Sequence, residues 1–276
     1  MLVSMSSPPP PPPPTTRAPP PPPLACVPRP VCDALLSTLD PPFPKHLALI
    51  MDGNSRWARA AHVPTGLGHV AGVSALKSTV SHCLSLPQIE VLTVYAFSTE
   101  NWGRPPAETA ALLALIEREV LAEAHRLLQL GVRLRFIGDL ERLPASLQAT
   151  LLKAADREPP EQRLLLCVAL SYGGRQEIAR AARRLAERVE AGEMRATDVD
   201  DDTFAAELRH PECSVPSDPD LLVRTGGQLR LSNFLLFQSA YTELVMLECF
   251  WPDFNAEQLA IALRAFAARR RTFGRR

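Results

Sequence analysis

"HLALIMDGNSRWARA", residues 46–60, starts as a strand and ends as something else. Leu47 to Met51 are apolar. A carboxylate (Asp52), a flexible hinge (Gly53), an amide (Asn54), a guanidinium (Arg56) and a large aromatic (Trp57) follow at once. An Asp after a strand is most often a turn residue or a helix cap. Its neighbours here favour a ligand. Gly53 permits close approach of backbone to a bound molecule. A helix starting at 53–57 would aim its amides outward beside a guanidinium, which suits a phosphate or diphosphate. An Asp beside a diphosphate is repelled unless a cation lies between them, and Mg²⁺ is the usual one.

Outward from this stretch, strands and helices alternate. Strands are expected over 46–51, 89–97, 132–138 and 163–172, and in the short runs "DLLVRT", "NFLLF" and "ELVML". Helices are expected over 68–84, 106–131, 144–158, 174–192 and 255–274. The first of these repeats apolar residues at Val73, Leu76 and Val80; the last has Asn255 as its N-cap. Such alternation predicts a mostly parallel sheet with helices on both faces, and ligands then bind beyond the carboxyl ends of the strands.

Of the 28 prolines, 17 lie in residues 1–44. Long proline runs cannot pack, so this leader is read as extended or disordered and residues 45–276 as the folded part. The leader has no acid before Asp33, which fits an organelle transit peptide as well as a plain low-complexity tail; the prolines favour a plastid over a mitochondrion. Lys+Arg and Asp+Glu balance at 30 each, so nothing global points to nucleic acid. The six cysteines form no CxxC pair, and free thiols in a reducing compartment are expected. No apolar stretch approaches the roughly 20 residues of a membrane span.

Three further strand ends carry chemistry. "YAFSTENWGRP" (95–105) sets Ser98, Glu100, Asn101, Trp102 and Arg104 together, and a loop Trp often lines an apolar pocket. "SYGGR" (171–175) puts Arg175 in a helix's first turn, against the dipole, and needs an anion or carboxylate to explain it. "LLVRTGGQLRLSNFLLF" (221–237) holds Arg224, Arg230 and Ser232 around two glycines, a second anion site, and Glu243 follows as a second carboxylate for a metal. "GLGHVA" (66–71) matches a dinucleotide fingerprint, but no strand precedes it directly and no acid follows about 20 residues on. His69 could face the same anion as Arg56, although alone it reads as a surface histidine. No GxxxxGK[ST] is present. Two anion sites with aliphatic lining between them fit a substrate with a diphosphate head and a hydrocarbon tail better than a nucleotide.

"HLALIMDGNSRWA", "GHVAG", "YAFSTENWGRP", "VRLRFIGD", "SYGGRQEI", "DLLVRTGG", "LSNFLLFQSAYTEL" and "WPDF", in this order over roughly 45–274, resemble the cis-prenyltransferases, the undecaprenyl and dehydrodolichyl diphosphate synthase family. The resemblance implies a single α/β domain with a mainly parallel six-stranded sheet, a hydrophobic product tunnel and a homodimer. It implies condensation of isopentenyl diphosphate with an allylic diphosphate primer in polyprenol or dolichol-type synthesis, with peripheral membrane contact at product release. It assigns Mg²⁺ to Asp52 with help from Glu243. It assigns the allylic diphosphate to Gly53, Asn54, Arg56 and His69, with Trp57 and Arg104 in the substrate-binding set. Isopentenyl diphosphate falls to Arg224, Arg230 and Ser232, and Ser98, Asn101 and Trp102 lie beside the reacting carbons. The chain departs from the family at Ser55, often glycine in bacterial members, and near Thr65, where an arginine is usual, so that contact is either missing or supplied by Arg59. At the tail, "TFG" (272–274) stands where Arg-x-Gly is usual, with Arg271 one place early, which argues against isopentenyl binding across the dimer through that tail. The rival readings are a catalytically silent subunit of a heteromeric synthase, against which Asp52 and the Arg224/Arg230/Ser232 pattern argue, and a dinucleotide-dependent enzyme.

Overall fold

The structure, a computed structural model, describes residues 35–36, 38–208 and 217–271. Six strands form one sheet: β1 (His46–Ile50), β2 (Val91–Ser98), β3 (Val132–Ile137), β4 (Leu164–Tyr172), β5 (Leu221–Arg224) and β6 (Glu243–Met246). Their order is β3-β4-β2-β1-β5-β6, and every neighbouring pair is parallel. Seven α-helices are described: α1 (Asn54–Ala60), α2 (Thr65–Leu84), α3 (Pro106–Gln129), α4 (Ala145–Ala155), α5 (Gly174–Glu190), α6 (Asp201–Leu208) and α7 (Ala256–Ala267).

The helix starts follow local chemistry. Pro106 opens α3, where its missing N–H costs nothing. The Asn255 side chain accepts from the amides of Glu257 and Gln258 at the start of α7. The sheet buries both faces, as a parallel sheet must. Leu47 and Leu49 of β1 join the larger core, with residues of α2, α3, α4 and α7; Ala48 and Ile50 join a smaller core with Tyr172, Phe234 and Leu235.

Strand order locates the crevice. The chain leaves β1 toward β2 on one side, and leaves β5 toward β6 on the other. The switch point of the sheet therefore lies between β1 and β5, at their carboxyl ends, where ligands bind in open α/β sheets. Asp52 follows β1 and Arg224 ends β5.

Two expectations need correction, and one helix was missed. "NFLLF" is a buried turn rather than a strand: Ser232, Asn233 and Leu235 take φ of 49, 64 and 43°, which no strand allows. Its Phe234 and Leu235 fill the smaller core, with Phe234 stacked on Tyr95 at 4.5 Å. The helix α6 was not anticipated, although Asp200 accepts from the Thr203 amide at 2.8 Å in an ordinary capping arrangement. Packing also begins before residue 45, because Leu36 is 1% exposed in the larger core and Leu35, Leu39 and Phe43 pack against it. Residues 1–34, with Cys26 and Cys32, lie outside the described residues, as do Cys213 and the "TFG" of 272–274. Cys83, Cys167 and Cys249 are free thiols.

Candidate active site

Asp52 is fixed from both sides of its backbone. Its carbonyl accepts from the Thr225 hydroxyl at 2.7 Å and from the Trp251 amide at 3.0 Å. Its carboxylate then meets two cations. Arg56 Nη2 stands 3.1 Å from Oδ1, and Arg224 Nη2 donates to Oδ2 at 2.8 Å. The two anion sites read separately from the sequence thus adjoin across one carboxylate. Arg224 is buried, and its other nitrogen donates to Ser232 Oγ at 2.7 Å and to the Arg230 carbonyl. That fork ties the Gly226–Gly227 loop to the end of β5. Arg56 is held by the Gly226 carbonyl at 2.7 Å and lies over the Phe250 ring. Two guanidiniums on one carboxylate leave a surplus of positive charge for an anion.

Gly53 must be glycine. It takes φ 115°, and an added Cβ would stand 2.9 Å from the Phe250 ring. Gly68 of "GLGHVA" and Gly72 just after it serve close packing, whereas a Cβ on Gly66 would meet nothing. A Cβ on Gly68 would lie 2.3 Å from the Asn54 carbonyl, and one on Gly72 would lie 2.4 Å from Asn54 Oδ1. They let α2 close onto the start of α1. Asn54 Oδ1 is itself buried with no hydrogen bond, while its amide nitrogen donates to the Met51 carbonyl at 3.3 Å.

A cavity of about 300 Å³ opens at this point. Its mouth is lined by Asp52, Gly53, Asn54, Arg56, His69, Asn101 and Arg104; its depth is lined by Val73, Leu76, Val80, Ala96, Ile116, Val120, Phe136 and Leu166. Polar mouth and apolar depth match a charged head with a hydrocarbon tail. Burial of the His69 ring lowers its pKa, the Arg104 charge adds to that, and Glu108 opposes it. The ring is therefore neutral at neutral pH. Arg104 pairs with Glu108 at 3.1 Å.

Ser98 and Asn101 close a small box at the end of β2, where Asn101 Oδ1 accepts from the Ser98 amide at 3.0 Å. Trp102 stands beside them but is turned into the fold: its indole donates to Ser171 Oγ at 3.0 Å, and its ring meets Phe97 edge-on and Arg142 at 4.7 Å. Trp102 is absent from the cavity lining. Trp57 is absent from it too, because its indole donates to Asp253 at 2.8 Å. Arg59 is exposed and does not reach the cavity. Arg230 is exposed and donates to Gln228 at 2.6 Å.

Glu243 is not brought to Asp52 within one chain. The register sets Glu243 level with Leu221 and Leu47, and Met246 level with Arg224 and Ile50, so Glu243 lies at the opposite end of the sheet, about 10 Å along the strands from the level of Arg224 and two strands across from β1. There it pairs with Arg269 at 2.8 Å. The helix start at "SYGGR" is also spoken for, since Asn233 takes the Gly174 and Arg175 amides at 2.7 and 2.9 Å. Sequence reasoning missed Thr225, Phe250 and Trp251, which hold Asp52 and Arg56. None has a polar or apolar pattern of its own to mark it.

A sequence-family model described as "Putative undecaprenyl diphosphate synthase" matches residues 50–274. An isoprenyl transferase of Prochlorococcus marinus is 45% identical over 241 residues, 87% of this chain and 89% of that protein. A ditrans,polycis-undecaprenyl-diphosphate synthase of Xanthomonas axonopodis pv. citri, (2E,6E)-farnesyl-diphosphate specific, is 43% identical over 87% of this chain and 92% of its own. Among solved structures, lavandulyl diphosphate synthase from Lavandula x intermedia, in complex with dimethylallyl diphosphate, superposes with a TM-score of 0.79 at 35% identity, covering 84% of this chain and 98% of that one.

Proposed function

The chain belongs to the undecaprenyl diphosphate synthase family of prenyl-transferring enzymes, and from that premise we propose that it condenses isopentenyl diphosphate with an allylic diphosphate primer, farnesyl diphosphate in particular, to a cis-polyprenyl diphosphate. The observation that carries this is the meeting of Asp52, Arg56 and Arg224 at the mouth of a deep apolar cavity. Arg56, Asn54 and His69 hold the primer's diphosphate while its tail lies among Val73, Leu76 and Ile116. Arg224, Arg230 and Ser232 hold isopentenyl diphosphate on the other side of Asp52. Two fixed diphosphates keep the reacting carbons in attack geometry beside Asn101. Each five-carbon unit added then buries apolar surface, about 4 kcal/mol at roughly 0.8 per CH₂-sized group.

Mg²⁺ fits the donors present. Among the described residues no group of three His, Cys, Asp or Glu side chains could hold a metal, but one part-exposed carboxylate at the mouth suits an ion that takes most of its ligands from phosphate oxygens and water. Asp52 would hold it. Bound there, Mg²⁺ would neutralise the charge that builds on the departing pyrophosphate. Asp52 would then exchange its two guanidinium partners for the ion, and Arg56 and Arg224 would turn their freed nitrogens to the diphosphates.

The homodimer, the contact with a membrane surface at product release and delivery to a plastid belong to the same proposal. The test is the purified chain with labelled isopentenyl diphosphate and farnesyl or dimethylallyl diphosphate, with Mg²⁺ or with EDTA. Polyprenyl products that require Mg²⁺ are expected. A chain silent alone but needed by a partner synthase would be the supporting subunit instead. A fluorescent fusion of residues 1–44 is expected to enter plastids, and a diffuse cytosolic signal would overturn that part.

A further inference from the structure

The wall of the cavity is not apolar throughout. Lys77 on α2 and Glu119 and Glu123 on α3 line it between Leu76 and Val120. Lys77 Nζ lies 2.8 Å from Glu119 and 3.0 Å from Glu123, and Arg126 Nε closes on Glu123 at 2.6 Å. All are charged. The bond to Glu119 raises the Lys77 pKa, and the bond from Lys77 lowers that of Glu119. Burial pushes Glu123 up, but the bonds from Lys77 and Arg126 outweigh it and hold the carboxyl low.

The set spans the slot between α2 and α3. The Lys77 side chain is 38% exposed, and Glu119 and Glu123 are 21% and 20% exposed, so one side of the set meets water and the other meets the cavity. It is remote from the diphosphate sites: Lys77 lies two turns past His69, about 12 Å along the helix axis. The cavity continues one turn further, to a floor of Val80, Phe136 and Leu166, all buried.

Resting on the reading of the chain as a polyprenyl-forming condensing enzyme, we infer that Lys77, Glu119 and Glu123 form an ionic clasp that limits product length by holding the side wall of the tunnel shut. A growing hydrocarbon that reaches the floor has two walls to displace. The floor is close-packed core, and moving it strains every neighbour. The clasp is the weaker wall, because parting it only swings charged groups into water, and part-exposed ion pairs contribute little each. Further isoprene units therefore leave sideways between α2 and α3, and the strength of the clasp sets how readily they do so.

The experiment uses the full chain with farnesyl diphosphate and excess isopentenyl diphosphate, with product lengths read by reverse-phase chromatography at low and high salt. Screening weakens part-exposed pairs, so wild type is expected to make products longer by at least one isoprene unit at high salt. Lys77→Met, and Glu119→Gln with Glu123→Gln, should give the longer products already at low salt and lose the salt response. Lys77→Arg keeps the clasp and should keep both the lengths and the response. Lengths that do not move in wild type with salt or in Lys77→Met, or that shorten, overturn the inference. A chain that makes no prenyl product fails the parent reading instead. The clasp is then tested by binding of fifteen- and twenty-five-carbon prenyl diphosphates, read from tryptophan fluorescence. Lys77→Met should raise the preference for the longer tail about threefold, the scale of a part-exposed ion pair, and an unchanged ratio overturns it.

Discussion

At the scale of single residues, Asp52 separates two roles that the sequence shows as one. Its carbonyl is structural, bonded to Thr225 and Trp251, whereas its carboxylate faces the cavity mouth with Arg56 and Arg224. Asp52→Asn keeps the backbone bonds and the shape and loses only the charge. Turnover should fall about 10²–10³-fold, the range for removing one preorganised electrostatic partner, with little change in melting temperature. Near-normal turnover in the variant would end the metal assignment. The arginines divide in the same way. Arg224 is buried and anchors the loop through Ser232 and the Arg230 carbonyl, while Arg230 is exposed and structurally unneeded. Arg230→Ala should raise KM for isopentenyl diphosphate, by the about 1.5–3 kcal/mol of a lost charged hydrogen bond, far more than KM for the primer, and leave the melting temperature in place. Arg56→Ala should do the reverse to the two KM values. Arg224→Ala should lower both activity and melting temperature. Saturation curves for each substrate, with thermal melts, decide; equal KM shifts in Arg230→Ala and Arg56→Ala would mean that the two anion sites act as one. Asp52 and Arg224 stood out in the sequence because each follows an apolar run with a charge at a strand end, and Arg56 because it sets a guanidinium four residues after Asp52. Trp57 and Trp102 were not, because a tryptophan's one donor can turn its ring to either side, here toward Asp253 and Ser171.

At the scale of elements, β1 is held at both ends by polar residues, and its amino end is sensitive to pH. His46 is 1% exposed. Its Nδ1 donates to the Ser217 carbonyl at 2.9 Å, so its Nε2 is the acceptor for the Thr93 hydroxyl at 2.8 Å. This ring is neutral, and burial lowers its pKa to about 4 against the opposing pull of Ser217 and Asp220. The unfolded ring titrates near 6.5. Between those values the unfolded chain binds the proton and the folded chain does not, so stability falls as pH falls. The contribution is complete above about pH 6.5 and is lost progressively toward pH 4, by about 3 kcal/mol for a shift of this size. Asp220 bonds the His46 amide from the same end. Burial pushes that carboxyl up, but Arg271 and the amides of His46 and Lys45 hold it low, so its own titration falls below this window. Urea unfolding of wild type and His46→Gln at pH 7 and pH 5 is the measurement. The wild type should lose more stability than the variant on acidification; parallel losses would show that the ring does not titrate as described. Other elements differ in how much they disclosed. The helix α2 was legible from its period and α3 from the proline in its first turn and the glycine at its end, and β1, β2 and β4 from continuous apolar runs. "NFLLF" was misread because a buried turn and a buried strand have the same composition, and only the backbone angles of Ser232, Asn233 and Leu235 tell them apart.

At the scale of the whole molecule, alternating strands and helices were enough to give the parallel sheet, and the sheet gave the crevice. They did not give the strand order, on which the crevice's place between β1 and β5 depends, because pairing between distant segments leaves no local pattern. The fold's starting point was also hidden. Proline runs mark where packing cannot occur, but Leu35, Leu36 and Leu39 sit in a short stretch, "ALLSTL", that is too brief to show a period. Leu36 is 1% exposed in the larger core, whose other members come from strands and helices throughout the chain. Removing residues up to 42 therefore takes Leu36 along with the prolines, whereas removing residues 1–33 leaves Leu36 in place. Losing a buried leucine costs about 2–5 kcal/mol, and in a protein of this size each kcal/mol shifts the melting temperature by roughly 2–4 °C. A chain beginning at Ala34 should melt with the full-length protein. One beginning at Phe43 should melt roughly 5–15 °C lower, yet turn over normally at low temperature, since Asp52, Arg56, Arg224 and the cavity are untouched. Thermal melts of the three chains, followed by kcat at 15 °C, check both halves. Equal melting temperatures would show that Leu36 adds nothing to the core. A chain from Phe43 that is folded but inactive would show that the segment before β1 reaches the site.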